Sequence, residues 1–240
     1  MNTAIIVAAG SATRFGGDKP KQFLEIAGKP VVVHALERFE FCPQIDQIIL
    51  VLPAAEIENF REIAASFDLK KLVKIIAGGT TRAASVWNGL AAIDAETAEI
   101  IAVHDGARPL VSVSEILRTI EKARESGAAC LVAGVTDTIK EISGDKIART
   151  VNRASLRRAL TPQCFRYEIL KRAFEANDFK HSATDESFLV EQIGVAVSIV
   201  EGGAQNIKIT HAEDLILAES LLKEFKVQGS KLKKIFDFEL

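Results

Sequence analysis

Four short aliphatic runs, at residues 4–7, 48–52, 73–76 and 100–103, recur through the first half of the chain. Each leads through a polar or glycine-bearing loop into a segment whose apolar residues fall at helical spacing. Strands without polar alternation are buried on both faces, which calls for a parallel sheet covered by helices on each side. The helices fit that plan. Val33, Leu36 and Phe39 follow Pro30, an amphipathic stretch runs from 56 to 67 and another segment from 82 to 93, and Ser112-Val113-Ser114 caps a helix with Val113, Ile116, Leu117 and Ile120 on one face. Residues 128–133 supply a further strand. The fold class is therefore α/β with a mainly parallel twisted sheet, whose ligands lie beyond the carboxyl ends of the strands.

The loops at those ends carry the chemistry. Ala8-Ala9-Gly10-Ser11-Ala12-Thr13-Arg14-Phe15-Gly16 leaves the first strand and closes on Lys19-Pro20-Lys21-Gln22. Small residues let backbone N–H groups approach phosphate oxygens, while Arg14 offers a planar fork of donors and Lys21 a mobile charge. The loop reads as a triphosphate cradle, or as a plain strand–helix turn. It matches neither the P-loop, which ends in Gly-Lys-Ser/Thr, nor the three-glycine dinucleotide fingerprint.

Gly78-Gly79-Thr80-Thr81-Arg82-Ala83-Ala84-Ser85 leaves a later strand and opens a helix, offering N–H groups and Ser85 to a flat ligand such as a base. The alternative is a glycine turn capped by Thr81, with Arg82 on the helix surface. Val103-His104-Asp105-Gly106-Ala107-Arg108-Pro109 also ends a strand. Asp105 is placed to hold a divalent cation against phosphates or to pair with Arg108, and both readings stand. His104 has no second His or Cys at ligand spacing and is equally structural or catalytic.

Beyond residue 134 the texture changes. Residues 136–142 and 147–153 alternate around Ser143-Gly144-Asp145, the pattern of a β-hairpin too long to stand on its own core. Its return limb is basic, with Arg149, Arg153, Arg157 and Arg158. Leu160-Thr161-Pro162-Gln163-Cys164-Phe165 leads into a helix with Phe165, Ile169, Ala173 and Phe174 inward. Thr184 is a candidate N-cap for the next helix. After a late strand at 197–200, Thr210 with Glu213 reads as a capping box for a last helix carrying Leu215, Leu221, Leu222 and Phe225. Residues 1–225 are expected to form one domain with an arm near 136–159, followed by a lysine-rich tail, 226–240.

A net charge of -2 gives no basis for nonspecific nucleic-acid binding. The N-terminal residues lack a signal-peptide pattern, and no run approaches the ~20 apolar residues of a membrane helix, so a cytoplasmic location without membrane attachment is expected. Cys42, Cys130 and Cys164 are widely spaced and read as reduced core thiols.

Taken in order, Ala8-Ala9-Gly10…Arg14…Pro20-Lys21-Gln22, Gly78-Gly79…Arg82…Ser85-Val86, the 103–109 motif, Asp137-Thr138, Leu160-Thr161-Pro162-Gln163, Thr184-Asp185-Glu186 and Asn206-Ile207-Lys208 resemble the 2-C-methyl-D-erythritol 4-phosphate cytidylyltransferase family over residues 3–224. The resemblance implies a Rossmann-like nucleotidyltransferase fold and a homodimer whose hairpin arm reaches the other subunit's site. It also implies Mg²⁺-dependent reaction of CTP with methylerythritol phosphate, with other divalent cations as substitutes.

By the same resemblance Arg14 and Lys21 stabilise the transition state on the triphosphate. Ala8, Ala9, Gly10, Gly79 and Ser85 bind cytidine, with Thr80 and Arg82 among the nucleotide-binding positions. Asp105 and Arg108 lie near the reacting phosphates, Asp105 being also the metal candidate. Arg153 and Lys208 position the acceptor beside Thr138, Thr161 and Thr184, and Arg153 and Thr138 come from the second subunit. Ala12 stands where the family commonly has Gly, and Thr80 where some relatives have Asp. A ribitol 5-phosphate cytidylyltransferase and a noncatalytic CTP-binding protein are the alternative readings.

Overall fold

The computed structural model describes residues 1–10, 20–176 and 184–223, with the backbone alone at Lys21. Arg14, Ala12, Phe225 and the 226–240 tail therefore lie outside the described residues. The chain runs β1 (Thr3–Val7), β2 (Glu25–Ile26), β3 (Lys29–Pro30), α1 (Val31–Glu40), β4 (Gln47–Leu52), α2 (Ile57–Ala64), β5 (Leu72–Ala77), α3 (Arg82–Ala91), β6 (Ile100–Asp105), α4 (Val113–Ser126) and β7 (Ala128–Gly134). It continues through β8 (Ile139–Ser143), β9 (Lys146–Val151), β10 (Arg157–Arg166), α5 (Tyr167–Ala176), α6 (Glu186–Gln192) and β11 (Ser198–Glu201), and residues 212–223 are helical.

Seven strands form the central sheet in the order β11-β7-β10-β6-β1-β4-β5. β1 pairs in parallel with β4 and β6, setting Ile5 opposite Ile49 and Val103, and β4 pairs in parallel with β5. β10 alone runs against its neighbours, antiparallel to both β6 and β7. The sheet's two faces bury different residues of the same strands. Ile6, Leu50 and Ala102 meet α1, α2 and α4 through Leu36, Phe39, Phe60, Ile116 and Ile120. Ile5, Val51 and Val103 meet α3, α5 and α6 through Val86, Leu90, Leu170, Phe174 and Val190. Double burial explains why these strands carry continuous apolar runs.

β10 corrects the sequence reading, which put Phe165 in a helix. Phe165 is a buried strand residue opposite Ala128 and Ile101, and the helix begins two residues later at Tyr167. Pro162 argues against a central strand because it brings no N–H to the ladder. Here the β10–β7 register shifts between Ala159 and Gln163, so the proline falls in a break of the pairing.

Two caps also move by one residue. Asp185, not Thr184, caps α6 by accepting from the Phe188 amide. Asp214, not Glu213, accepts from the Thr210 and His211 amides at the start of the last helix. The hairpin forms as read. β8 and β9 make their own two-stranded ladder around Gly144, at φ +61°, with their residues exposed or half-buried. Arg153 lies beyond it, in a short 3-10 turn started by Asn152. All three cysteines are free and buried.

Candidate active site

Parallel register brings the carboxyl ends of β1, β4, β5 and β6 together. Backbone bonds then lock the first residue of each following loop to its neighbour: Ala8 N–H donates to Val51 O at 2.8 Å, Gly78 N–H to Leu52 O at 2.8 Å and Gly106 N–H to Val7 O at 2.9 Å. Above these ends opens a cleft of about 480 Å³. One wall is Ala8, Ala9 and Gly10, and another is Gly79, Thr80, Arg82 and Ser85; Asp105 and Lys208 close the site, and Gln22 lines it as well.

The glycine turn is braced from within. Ser85 Oγ accepts from the Gly79 amide at 3.1 Å and donates to Thr81 O at 2.9 Å, while Thr81 Oγ1 accepts from the Ala84 amide at 3.0 Å as the cap of α3. Ser85 thus lines the cleft with its hydroxyl already engaged. Gly78 is required by packing, because a Cβ there would lie 2.4 Å from Ala9 Cβ and 2.8 Å from Ser85 Oγ. Only a glycine lets the two walls approach this closely.

Asp105 gathers the cations. Arg82 Nε donates to its Oδ1 at 3.0 Å, while Lys208 Nζ stands 2.9 Å and Arg108 Nε 3.4 Å from its Oδ2. Burial works to raise the Asp105 pKa, but Arg82, Lys208 and Arg108 outweigh it and hold the carboxyl well below the usual carboxylate range. Arg82 also donates through Nη1 to Glu186 Oε1 at 2.6 Å. Burial pushes Glu186 upward against the pull of that arginine. Three cations against two carboxylates leave the cluster with a net positive charge suited to an anionic ligand.

Behind the cluster a buried network fixes the backbone. Arg108 O is only an acceptor, so the His104 Nε2 bonded to it at 3.0 Å carries the proton. Nδ1 then accepts from the Thr161 hydroxyl at 2.9 Å, and Thr161 Oγ1 accepts from the Asp105 amide at 3.1 Å. Burial lowers the His104 pKa to about 4, which agrees with a neutral ring. Asn206 Nδ2 donates to Thr161 O, Arg108 Nη1 donates to Asn206 O, and Ile209 N–H donates to Ala107 O. These bonds bring Lys208 to Asp105.

Of the residues singled out in the sequence, Ala8, Ala9, Gly10, Gly79, Thr80, Arg82, Ser85, Asp105 and Lys208 converge on the cleft. Arg108 reaches it through Asp105, and Thr161 stands behind it. Thr184, Thr138 and Arg153 are exposed elsewhere, with Arg153 donating to Thr136 O. The side chain of Lys21 lies outside the described residues, as does Arg14. Sequence reasoning missed Glu186 as a partner of Arg82 and Gln163 as the anchor of α6; both occur in quoted motifs, but nothing local marks their long-range contacts.

The chain is similar in sequence and fold to known proteins. A family model described as 2-C-methyl-D-erythritol 4-phosphate cytidylyltransferase matches residues 2–224. Among relatives of that name, one from Bacillus velezensis is 42% identical over 221 residues, covering 91% of this chain and 94% of that protein. One from Clostridium perfringens strain SM101 is 44% identical over 224 residues, covering 92% and 98%. The crystal structure of 4-diphosphocytidyl-2C-methyl-D-erythritol synthase from Anaerococcus prevotii is similar at a TM-score of 0.81 and 32% identity, covering 92% of this chain and 96% of that one. With the strand-end cleft, its cationic cluster and these matches agreeing along almost the whole sequence, the chain belongs to the 2-C-methyl-D-erythritol 4-phosphate cytidylyltransferase family.

Proposed function

We propose that the protein transfers the cytidylyl group of CTP to 2-C-methyl-D-erythritol 4-phosphate, giving 4-diphosphocytidyl-2-C-methyl-D-erythritol and pyrophosphate in non-mevalonate isoprenoid synthesis. The observation that carries this reading is one cleft with a wall of small residues, Ala8, Ala9, Gly10 and Gly79, beside a cationic rim, Arg82 and Lys208, anchored on Asp105.

The acceptor's phosphate is already a nucleophile at neutral pH. One of its oxygens bonds to the α-phosphorus of CTP as the bond to the β-phosphate oxygen breaks, so pyrophosphate leaves and no general base is needed. This accords with His104, whose ring nitrogens are both committed within the fold. The task left to the protein is holding two polyanions in line and stabilising the leaving charge. Ala8, Ala9, Gly10, Gly79, Thr80, Arg82 and Ser85 serve CTP in this reading. Arg14 and Lys21 stabilise the transition state, and Asp105, Arg108, Thr161, Thr184 and Lys208 serve the acceptor.

Magnesium is the proposed cofactor, with other divalent cations able to substitute. No three His, Cys, Asp or Glu side chains gather to hold a metal among the described residues, and the cleft's carboxylate is Asp105. That donor set fits an ion held chiefly by triphosphate oxygens and water, with Asp105 as its protein ligand. When bound, the ion neutralises phosphate charge and polarises the α-phosphoryl group.

A homodimer is proposed through the arm at 136–159, with Arg153 and Thr138 supplied to the cleft by a second copy. Both are exposed and neither lines this chain's own cleft, which supports that reading. Residues 1–225 are read as one nucleotidyltransferase domain. No helix among the described residues is long and apolar enough to cross a membrane, and a cytoplasmic location is proposed.

The test is pyrophosphate release with Mg²⁺, each nucleoside triphosphate in turn, and methylerythritol 4-phosphate or ribitol 5-phosphate as acceptor. Turnover confined to CTP with methylerythritol phosphate is expected. Preference for ribitol phosphate would overturn the acceptor, and CTP binding without turnover would overturn the reaction.

A further inference from the structure

Arg82 is held by carboxylates from two separate elements. Its Nε donates to Asp105 at the end of β6, and its Nη1 donates to Glu186 at the start of α6. Nη2 has no hydrogen-bond partner among the described residues, and the side chain lines the cleft with 26% exposure. Nε and Nη1 are thus tied back, and the Nη2 donors remain for a ligand.

The two ties differ in rigidity. Asp105 is shared with Lys208 and Arg108. Glu186 is fully buried, and Arg82 is the sole cation paired with it among the described residues. Its neighbours are pinned to the sheet: Asp185 Oδ2 accepts from Gln163 Nε2 at 2.9 Å, and the Ser187 amide donates to Gln163 Oε1 at 2.9 Å. Gln163 is itself buried on β10. The Glu186 carboxylate is therefore the fixed point, and Arg82 is the group directed by it. The other oxygen, Oε2, is buried with no hydrogen-bond partner among the described residues, so the bond to Arg82 is the one that satisfies this carboxylate there.

We infer that Glu186 is a positioning residue for cytidylyl transfer: it fixes the direction of Arg82 so that the free Nη2 donors meet the nucleotide. The inference rests on the reading of the cleft as a CTP site. Without Glu186, Arg82 is held by the already shared Asp105 alone, and its free donors lose their fixed direction in the cleft.

The experiment is calorimetric titration with CTP, together with steady-state kinetics, on the wild type, Glu186→Gln, Arg82→Ala and the double variant. Glu186→Gln keeps the shape and removes the charge. It is expected to weaken CTP binding about tenfold or more, with the acceptor KM changed less than about twofold. In the Arg82→Ala background the same substitution should change CTP affinity by less than about twofold, because its effect passes through Arg82.

Wild-type CTP affinity in Glu186→Gln overturns the inference, as does an equal loss in both backgrounds. Should Glu186→Gln fail to fold, Glu186→Asp replaces it, since the shorter carboxylate retains the charge but not the reach to Arg82; the same two outcomes decide. A wild type that binds CTP without turnover overturns the proposed reaction and leaves this inference to be decided by the affinities.

Discussion

The Thr161 hydroxyl joins two antiparallel strands behind the cleft, donating to His104 Nδ1 at 2.9 Å while accepting from the Asp105 amide at 3.1 Å. Thr161→Val keeps the volume and leaves both of those groups without their partner. The expected loss is about 1–3 kcal/mol in urea unfolding, with kcat/KM reduced about tenfold because Asp105 is no longer held. Thr161→Ser, which restores the hydroxyl, should recover both. Recovery of stability without activity would locate the role of Thr161 in substrate contact through its methyl group.

His104 gives the fold an acid-side weakness. Its ordinary value is 6.5, and burial lowers it to about 4 in the folded protein. Between those values the unfolded chain takes up a proton that the folded protein does not, so stability is full above the unfolded pKa and falls as the pH drops. The expected contribution is a loss of about 2 kcal/mol between pH 7 and pH 5. His34 is lowered in the same direction and Glu186 is raised, so each adds its own slope. Both remain in His104→Gln, and the difference between the two urea-unfolding profiles isolates His104. Asp105, held low, loses its contribution only below this window. Parallel profiles for wild type and variant would mean that His104 does not titrate as burial dictates.

How much of this was legible in the sequence depended on whether the cause was local. β1, β4 and β6 stand out because burial on both faces leaves them uninterrupted aliphatic runs. β5, at the sheet edge with Val73 exposed and Lys74 within it, stands out by Leu72, Ile75 and Ile76 without being buried on both faces. β10 does not, because Arg157 and Arg158 begin it, Pro162 interrupts it, and the break in pairing that tolerates the proline is a property of its neighbour. The capping shifts from Thr184 to Asp185 and from Glu213 to Asp214 are choices between adjacent polar residues that local spacing does not resolve. The strand-end loops stand out by their small residues and charges, and the described ones line the cleft. Arg82 and Glu186, 104 residues apart, were not readable as a pair, since only the placement of α6 against β10 brings them together. Among the alternatives weighed for the glycine turn, the cap by Thr81 is present, and it coexists with a cleft wall.

Gly78 links packing to affinity. A methyl group at 2.4 Å from Ala9 Cβ must push the turn away from the first loop. Gly78→Ala should therefore raise the CTP KM about tenfold, change kcat less, and lower stability by about 1–3 kcal/mol. Kinetics at saturating acceptor with varied CTP, beside urea unfolding, separate the effects. An unchanged CTP KM in a destabilised variant would show that the nucleotide does not contact both walls.

Arg153 is exposed in the turn that follows the hairpin and is absent from this chain's cleft lining, and the proposed dimer has it supplied to the cleft by the other copy. Arg14→Ala and Arg153→Ala homodimers should each be nearly inactive, because each lacks one cation at every site. In a mixed dimer the lesions fall unequally. The site built on the Arg14→Ala chain then lacks both arginines, whereas the site built on the Arg153→Ala chain keeps its own Arg14 and receives an intact Arg153. Random exchange of equal amounts makes half of the dimers mixed, each with one working site, so activity should return to about a quarter of the wild-type value. Sites complete within one chain would instead carry a lesion in every copy. Activity that stays at the level of the parent variants, with mixed dimers verified by native mass spectrometry, would assign Arg153 to its own subunit or to no site.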